Sequence, residues 1–439
     1  MNTPETILQS IEEAGIRFVD LWFTDILGVI KSVTIPADKL KSVMRHGSHF
    51  DGSSIEGFAR VAENDMELYP DLSTFRVLPW CAPNAPTARL ICNVFTPQGE
   101  PFMGDPRYAL IRVIEEAAGM GYRFKTGMEM EFFLLKSRES LTAIDDSSYF
   151  DMPPEQTHHI RREMVLNMET LGIRTHSIHS EIAQGQHEFE FTYDEAMKSA
   201  DAMLTARVAI KTVAEQMKAF CTFMPRPMTN MPGSGLHTHQ SLHALDTDEN
   251  LFSDPEQEYG LSELARHFLA GQLHHARAMT AVLAPLVNSY KRLGKSFEAP
   301  TYVSWAHVNR AALIRVPSIQ PGRENHTRLE LRCPDPSCNP YLATAVMLKA
   351  GLDGIRHKLK LSEAIEETVV DLKRTRGRRV DYLPATLGEA LEALREDDLI
   401  MEALGSYIGW QFVDAKQREF DEYNQQVTQW EINRYLGKY

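Results

Sequence analysis

Apolar residues recur at helical spacing in the opening stretch MNTPETILQSIEEAG, which predicts an amphipathic helix with a capping box opening on Thr3 and a stop at Gly15. The next stretch, IRFVDLWFTDILGVIKSVTIP, alternates like two strands joined through a turn around Asp25 to Gly28, and short strands continue up to ARLICNVF. The Pro- and Gly-rich connector TPQGEPFMGDPR shifts the composition, so a domain boundary is expected near residue 100, dividing the chain into 1–100 and 101–439. Helical periodicity then covers about 106–120, 155–171, 194–219, 261–289, 340–358 and 387–396, and strand-like runs fall at 127–135, 186–193, 234–242 and 327–332. From about residue 398 the pattern is helical, ending in TQWEINRYLGKY. Its Trp430, Tyr435 and Tyr439 either dock on a partner subunit or pack back on their own chain.

A chain of 439 residues exceeds one hydrophobic core, which agrees with two domains, and 43% hydrophobic residues is ordinary for a globular protein. Acidic residues number 60 against 46 basic ones. That balance argues against nucleic acid or an anionic membrane surface as the main partner. It fits an enzyme whose arginines are concentrated locally. The five cysteines are odd in number and widely spaced, without a CxxC pair, so neither a disulfide framework nor a thiolate zinc site is expected. The cytoplasm is the default compartment. No stretch approaches about 18 apolar residues, so no membrane span is expected. The basic run DLKRTRGRRVD reads as a solvated loop.

The strand-like runs carry the unusual chemistry. Glu129 and Glu131 in GMEMEFFLL, Glu188 and Glu190 in GQHEFEF, His237 and His239 in GSGLHTHQSL, and Arg328, Glu330 and Arg332 in TRLELR all sit at i, i+2 spacing. In a strand such pairs share a face, roughly 6 to 7 Å apart. One such strand is a solvated face, and a lone histidine is more often a core residue bonded to backbone. Four of them predict a sheet or partial barrel with an ionic interior that must hold metal and anion. Carboxylates with an occasional imidazole and no thiolate select magnesium or manganese. Glutamates facing arginines imply metal-bound phosphate. Neither a GxxxxGK[ST] loop nor a GxGxxG turn is present, so any nucleotide is held another way. FDGSSIEGF, with Asp51, is either a plain capped turn or part of a site. NSYKRLGKSFEAP, with Glu298, could be a lid.

The stretches FTDILGVIKSVTIP, FDGSSIEGFARVAENDMELYPDLSTF, GMEMEFFLL, GQHEFEF, GSGLHTHQSL, NSYKRL with FEAP, NRAALIRVP and TRLELRCPDPSCNPYLATAVMLKAGLDGI occur in the order found in type I glutamine synthetases, and the chain resembles that family over almost its whole length. The resemblance implies an α+β fold: a small N-terminal β-grasp domain and a large catalytic domain with a curved antiparallel sheet backed by helices. It implies ATP as co-substrate, two or more magnesium or manganese ions, and a dodecamer of two hexameric rings with shared active sites. By motif position Glu131, Glu181 and Glu188 hold one metal, and Glu129, His237 and Glu330 the other. Asp51 reaches a neighbouring subunit's site and helps deprotonate ammonium beside Ser54, Tyr149 and Glu181. Arg292 and Arg332 hold glutamate, with Gly233 in the turn beside them. Arg310 and Arg315 hold the transferring phosphoryl group, Arg328 with His239 and Ser241 the nucleotide, and Glu298 sits on the closing flap.

Departures gather at the substrate end. Pro232 stands where an Asn begins the glycine-rich turn, as in γ-glutamyl-polyamine ligases; the flap carries Lys295; a paired His-His is His179-Ser180; and Val308 replaces a polar residue. Three readings follow: synthesis of glutamine from ammonium, ligation of an organic amine to glutamate, or a non-catalytic sensor. Val370 at the position of the adenylylated tyrosine implies that this control is absent, whereas Arg60 matches a position implicated in glutamine feedback.

Overall fold

The computed structural model describes residues 3–53, 55, 57, 65–294, 299–366 and 380–439. Ser54, Arg60, Lys295, Glu298 and Val370 lie outside the described residues.

The first helix, Pro4–Glu13, is capped reciprocally: Thr6 N–H donates to the Thr3 hydroxyl at 3.3 Å and Thr3 N–H to Thr6 Oγ1 at 2.8 Å. Its Ile7 and Ile11, one helical turn apart, are buried. Strands β1 (Phe18–Thr24) and β2 (Ile30–Pro36) form the expected hairpin. Its turn is held because Asp25 Oδ1 accepts from the amides of Leu27 and Val29 at 3.0 and 2.9 Å. With β3 (Ser48–Asp51), β4 (Asp65–Val77) and β5 (Thr87–Phe95) they make a sheet in the order β2-β1-β5-β4-β3, in which β1 and β5 run parallel. Ile7, Leu21, Leu40, Leu68 and Leu90 form its core with the first helix and helix Leu40–His46.

The second sheet is built on β6 (Tyr122–Leu135), a strand of 14 residues. Around it lie β7 (Thr175–Ser180), β8 (Gln186–Phe191), β9 (Asp194–Glu195), β10 (Phe220–Thr222), β11 (Leu236–Ala244), β12 (Trp305–Ala306), β13 (Ile314–Arg315) and β14 (Leu329–Leu331). The order is β12-β13-β14-β11-β6-β8-β7, with β9 and β10 also on β6, and every pairing but β12 with β13 is antiparallel. The chain is therefore α+β, with an antiparallel-rich sheet backed by helices. Phe132 and Leu134 point into the helix-covered core, where Phe132 stacks on Phe189 at 5.5 Å. In helix Pro340–Arg356 every residue from Pro340 to Gly354 is buried. Helix Glu263–His274 crosses it so closely that a Cβ on Gly271 would lie 2.2 Å from the Ala350 carbonyl oxygen.

The helix expected over 261–289 is instead three: Glu263–His274, Ala276–Leu283 and Ser289–Arg292. His275 leaves helical geometry at the first break, and its imidazole bonds Asp397 at 2.7 Å and Asp353 at 3.2 Å. At the second, Pro285 forces Ala284 out of the helical region, to φ −132° and ψ 69°. At the C-terminus, helices Leu387–Arg395, Asp398–Leu404 and Ser406–Asn424 pack on the core behind the second sheet. The last helix, Gln429–Tyr435, buries none of its residues, and Trp430, Tyr435 and Tyr439 are 62%, 45% and 100% exposed. Among the described residues, none buries the last helix against its own chain.

The first sheet is tied to helix Ala196–Gln216 by Arg107, which is buried and bonds Asp71 of β4 at 2.7 Å and Asp201 of that helix at 3.0 Å.

Candidate active site

The four charged alternations fall on four adjacent strands, β8, β6, β11 and β14, and hydrogen-bonded register brings their charges side by side. Glu131 stands opposite Glu188 and Glu129 opposite Glu190. Glu129 also stands opposite His237, and His239 opposite Glu330. Arg315, on the next strand, pairs with Glu330. One face of the sheet is thus ionic, as the alternation predicts, while beyond Glu131 the same strand turns apolar at Phe133 and Leu135.

Glu129, Glu131, Glu188, Glu190, His237, Arg315 and Glu330 line a cavity of about 350 Å³ that also receives Tyr149, Glu181, Gly233, Arg292, Arg310 and Arg332. A larger cavity of about 750 Å³ adjoins it, with Glu129 and Glu190 lining both. His239, Ser241 and Arg328 belong to the larger one.

Ligand atoms converge in three groups among the described residues: Glu129, His237 and Glu330; Glu131, Glu188 and His237; and His179, Glu181 and Glu188, each within 4.8 Å. The set Glu129, His237 and Glu330 is gathered as expected. The other differs, because Glu181 meets Glu188 together with His179, and Glu131 meets Glu188 together with His237. His237 and Glu188 therefore each bridge two groups.

Partners fix these carboxylates. Glu131 Oε2 accepts from Gln186 Nε2 at 2.8 Å and from the Gly235 amide at 2.9 Å. Glu129 meets His237 Nδ1 at 3.0 Å and His239 Nε2 at 2.6 Å. Burial alone would raise the Glu129 carboxyl, but the two imidazoles hold it well below the usual range. Glu330, 1% exposed, accepts from Arg315 Nη1 at 2.8 Å and from Arg332 Nη1. Burial opposes its ionisation, yet His237 and Arg332 bring it down to about 2. Glu188 goes the other way, up to about 8, through burial and the neighbouring Glu131 and Glu129, although His179 bonds it at 3.0 Å. Burial would lower the His179 imidazole, but Glu188 draws it up to about 9.

Arg315 Nε and Arg332 Nε are buried without a partner among the described residues, so the arginine wall has donors left for an anion. Arg292 reaches the cavity as expected and is also tied to the backbone. Its Nη1 donates to the carbonyls of Cys333 and Pro334 at 2.9 and 3.0 Å and its Nη2 to the carbonyl of Arg332 at 2.9 Å. It stands behind Arg332 and fixes that backbone. Asp51 does not line either cavity of its own chain; it ends β3, exposed, with Ser53 N–H donating to Oδ1 at 2.8 Å.

The sequence reading passed over several lining residues. Gln186 bridges Glu131 and the Gly233 carbonyl, at 2.8 and 3.1 Å. Glu190, already marked by its alternation with Glu188 but given no role there, divides the cavities and accepts from Ser177 at 2.6 Å. Gln186 sits at i, i+2 from Glu188, the same signal that marked Glu190. Phe150 stacks on His179 at 4.4 Å and adopts φ +58°, a strained left-handed conformation for an aromatic residue. No sequence signal marks it.

A small antiparallel-rich sheet domain, a helix-backed sheet with paired carboxylate and imidazole groups on its open face, and an arginine wall beside a larger cavity make the kind of enzyme site that suits a divalent cation next to an anionic substrate. The comparisons agree. Residues 15–97 match the family model for the glutamine synthetase β-grasp domain, and residues 103–435 the glutamine synthetase catalytic domain. The chain belongs to the glutamine synthetase family. It is 45% identical to a glutamine synthetase of Thermotoga maritima over 99% of both chains. It is 44% identical to one of Halobacterium salinarum over 99% of this chain and 96% of that one. Among solved structures, a GmaS/ADP complex superposes with a TM-score of 0.90 at 31% identity over the whole of both chains. Apo GmaS gives 0.89 at 32% identity, over 99% of this chain and 100% of that one.

Proposed function

We propose that this chain joins ammonium to the γ-carboxylate of L-glutamate at the expense of ATP, giving glutamine, ADP and phosphate. The observation that carries the reading is the juxtaposition, on one sheet face, of convergent carboxylate–imidazole groups with arginines that keep buried unpartnered donors. Membership of the family implies ATP and divalent metal use, and the donor set fits hard cations. Glu129, His237 and Glu330 would hold one ion, and Glu131, Glu181 and Glu188 the other, with His179 within reach of the second group. Magnesium or manganese bound there offsets the charge of the carboxylates and of the phosphates of ATP.

Around that centre each residue has a task. Arg328, His239 and Ser241 line the larger cavity and would seat the nucleotide. Arg332, its backbone held by Arg292, grips glutamate beside Gly233. A γ-carboxylate oxygen then attacks the terminal phosphorus, ADP leaves, and Arg310 and Arg315 offset the transferring charge. A carboxylate is a poor electrophile; the resulting acyl phosphate is not. Ammonium has no lone pair, so Asp51 of a neighbouring subunit, with Ser54, Tyr149 and Glu181, takes its proton, and the nitrogen displaces phosphate from the acyl carbon. Glu298 would close over the intermediate and keep water out.

Shared sites require a homo-oligomer, which we take to be a dodecamer of two hexameric rings. The exposure of Asp51 and of the aromatic tail supports this. Among the described residues no helix is long and apolar enough to cross a membrane. The five cysteines are all free thiols, in keeping with the cytoplasm. We divide the chain near residue 100 into the β-grasp and catalytic domains.

Phosphate release from ATP and glutamate tests the reading, measured with ammonium, methylamine and putrescine in turn. Release that depends on ammonium is expected. Release only with an organic amine would show a different ligase, and none with any amine would sink the catalytic reading.

A further inference from the structure

Arg310 stands on the connection between β12 and β13, residues 307–313, and not on a strand, yet its side chain reaches the smaller active-site cavity. Asn309 tightens the chain there, its Oδ1 accepting from the Ala311 amide at 3.0 Å, but such a turn fixes only its own local shape. Val308 is 73% exposed and Arg310 is exposed as well, so apolar burial does little to hold this stretch. Its anchor comes from Ile365 and Glu366, far along the chain.

The Ile365 amide donates to the Trp305 carbonyl at 2.8 Å, which lays residues 365 and 366 beside β12. Asn309 Nδ2 donates in turn to the Ile365 carbonyl at 3.2 Å. Glu366 completes the clasp. Its Oε1 accepts from the His307 amide, and its Oε2 from the amides of Val308 and Asn309 at 2.9 and 3.1 Å. Three successive backbone N–H groups thus converge on one carboxylate, the arrangement by which a short stretch of backbone grips an anion. Burial would raise the Glu366 carboxyl, but these amides hold it below the usual range, so the clasp is made by the charged form. His307 is fixed further, its Nδ1 bonding the Val316 carbonyl at 2.8 Å and its Nε2 the Ser318 hydroxyl at 3.0 Å. The three residues immediately before Arg310 are therefore the ones the carboxylate holds.

We propose that Glu366 is the positioning residue for Arg310: its carboxylate fixes the backbone of residues 307–309 and so the placement of the guanidinium in the cavity. This rests on the role given to Arg310 above, that of offsetting charge on the transferring phosphoryl group. Glu366 lines neither active-site cavity, so it acts through the backbone and not on substrate. Loss of the clasp leaves the residues that bind metal, nucleotide and acid in place and loosens one charge-stabilising group. A misplacement of about 1 Å at such a group costs about 100-fold in rate.

Glu366→Ala and Glu366→Gln in the full-length protein test this with two readouts. Hydrogen exchange by mass spectrometry needs no turnover: the 307–309 amides should exchange at least about tenfold faster in Glu366→Ala and less so in Glu366→Gln, which keeps one acceptor oxygen. In ammonium-dependent phosphate release, kcat should fall about 10- to 100-fold in Glu366→Ala and recover in part in Glu366→Gln, with KM for ATP and glutamate within about twofold of the parent. In an Arg310→Lys background Glu366→Ala should cost less than about twofold more, because the two residues act as one unit; a general structural role would cost as much there as in the parent. Unchanged exchange at 307–309, an unchanged kcat, or full additivity with Arg310→Lys overturns the proposal. Failure of the glutamine-synthesis reading shows separately, as no release by the unsubstituted protein, and the exchange measurement still decides whether Glu366 holds the arm.

Discussion

Gln186 offers the most discriminating test of how the site is held. Fully buried in β8, it donates Nε2 to Glu131 at 2.8 Å and to the Gly233 carbonyl at 3.1 Å, and its Oε1 accepts from the Ala183 amide at 3.3 Å. Gln186→Ala removes one hydrogen bond to a charged group, of about 1.5–3 kcal/mol, and two neutral ones of about 1 kcal/mol each. Glu131 keeps the Gly235 amide, so it stays paired but loses one of the two bonds that orient it. Loss of such an outer bond to a metal ligand typically costs about 10- to 100-fold in metal affinity. That range is the expected weakening of manganese binding by isothermal titration, with a matching rise in the manganese needed for half-maximal activity. Gln186→Met separates bonding from packing, since it fills the volume without donating. It should weaken metal binding as Ala does. If both variants bind manganese within about twofold of the parent, Gln186 does not orient Glu131 for metal and the reasoning fails.

Arg332→Ala should raise the KM for the acid substrate about tenfold or more, and Arg332→Lys should not restore it, because an ammonium lacks the planar fork; steady-state kinetics at saturating ATP decide. Asp51→Ala and Glu129→Gln should each be inactive alone, yet hybrids reassembled from equal amounts should recover activity at about a quarter of their sites, provided the site is shared between subunits. No recovery in confirmed hybrids argues against sharing. His275 supplies a pH dependence. Burial would lower its imidazole, but the hydrogen-bonded Asp397 and Asp353 hold it above its ordinary value. The stability it contributes is complete below about 6.5 and is lost as pH rises through the raised folded value. Between pH 6.5 and 9 the melting temperature of the parent should therefore fall more steeply than that of His275→Gln; equal slopes would refute the charged clip.

Much of the site was legible because strand alternation has a period of two. Glu129 with Glu131, His237 with His239 and Glu330 with Arg332 could be assigned to shared faces before their neighbours were known. The same periodicity marks Gln186 two residues before Glu188, and there it went unused because an amide beside a carboxylate looks unremarkable. The split of the metal set was not legible. Which of Glu131, Glu181 and Glu188 approach one another depends on the β7–β8 hairpin, where Glu181 lies in the connection and not in a strand. The break at Pro285 was written in the chain, but the one at His275 was not, since it rests on aspartates 78 and 122 residues away.

Local rules, then, determined what each segment is: the spacing of apolar and charged side chains reflects the geometry of its own strand or helix, and the ordered motifs carried the family. Tertiary structure decided which segments meet. The register of β6 between β8 and β11 placed Glu131 opposite Glu188 and Glu129 opposite His237, and packing turned Arg292 onto the backbone behind Arg332. Those contacts join residues far apart in sequence, and they are selected by the burial of a common core, which no single stretch of the chain contains.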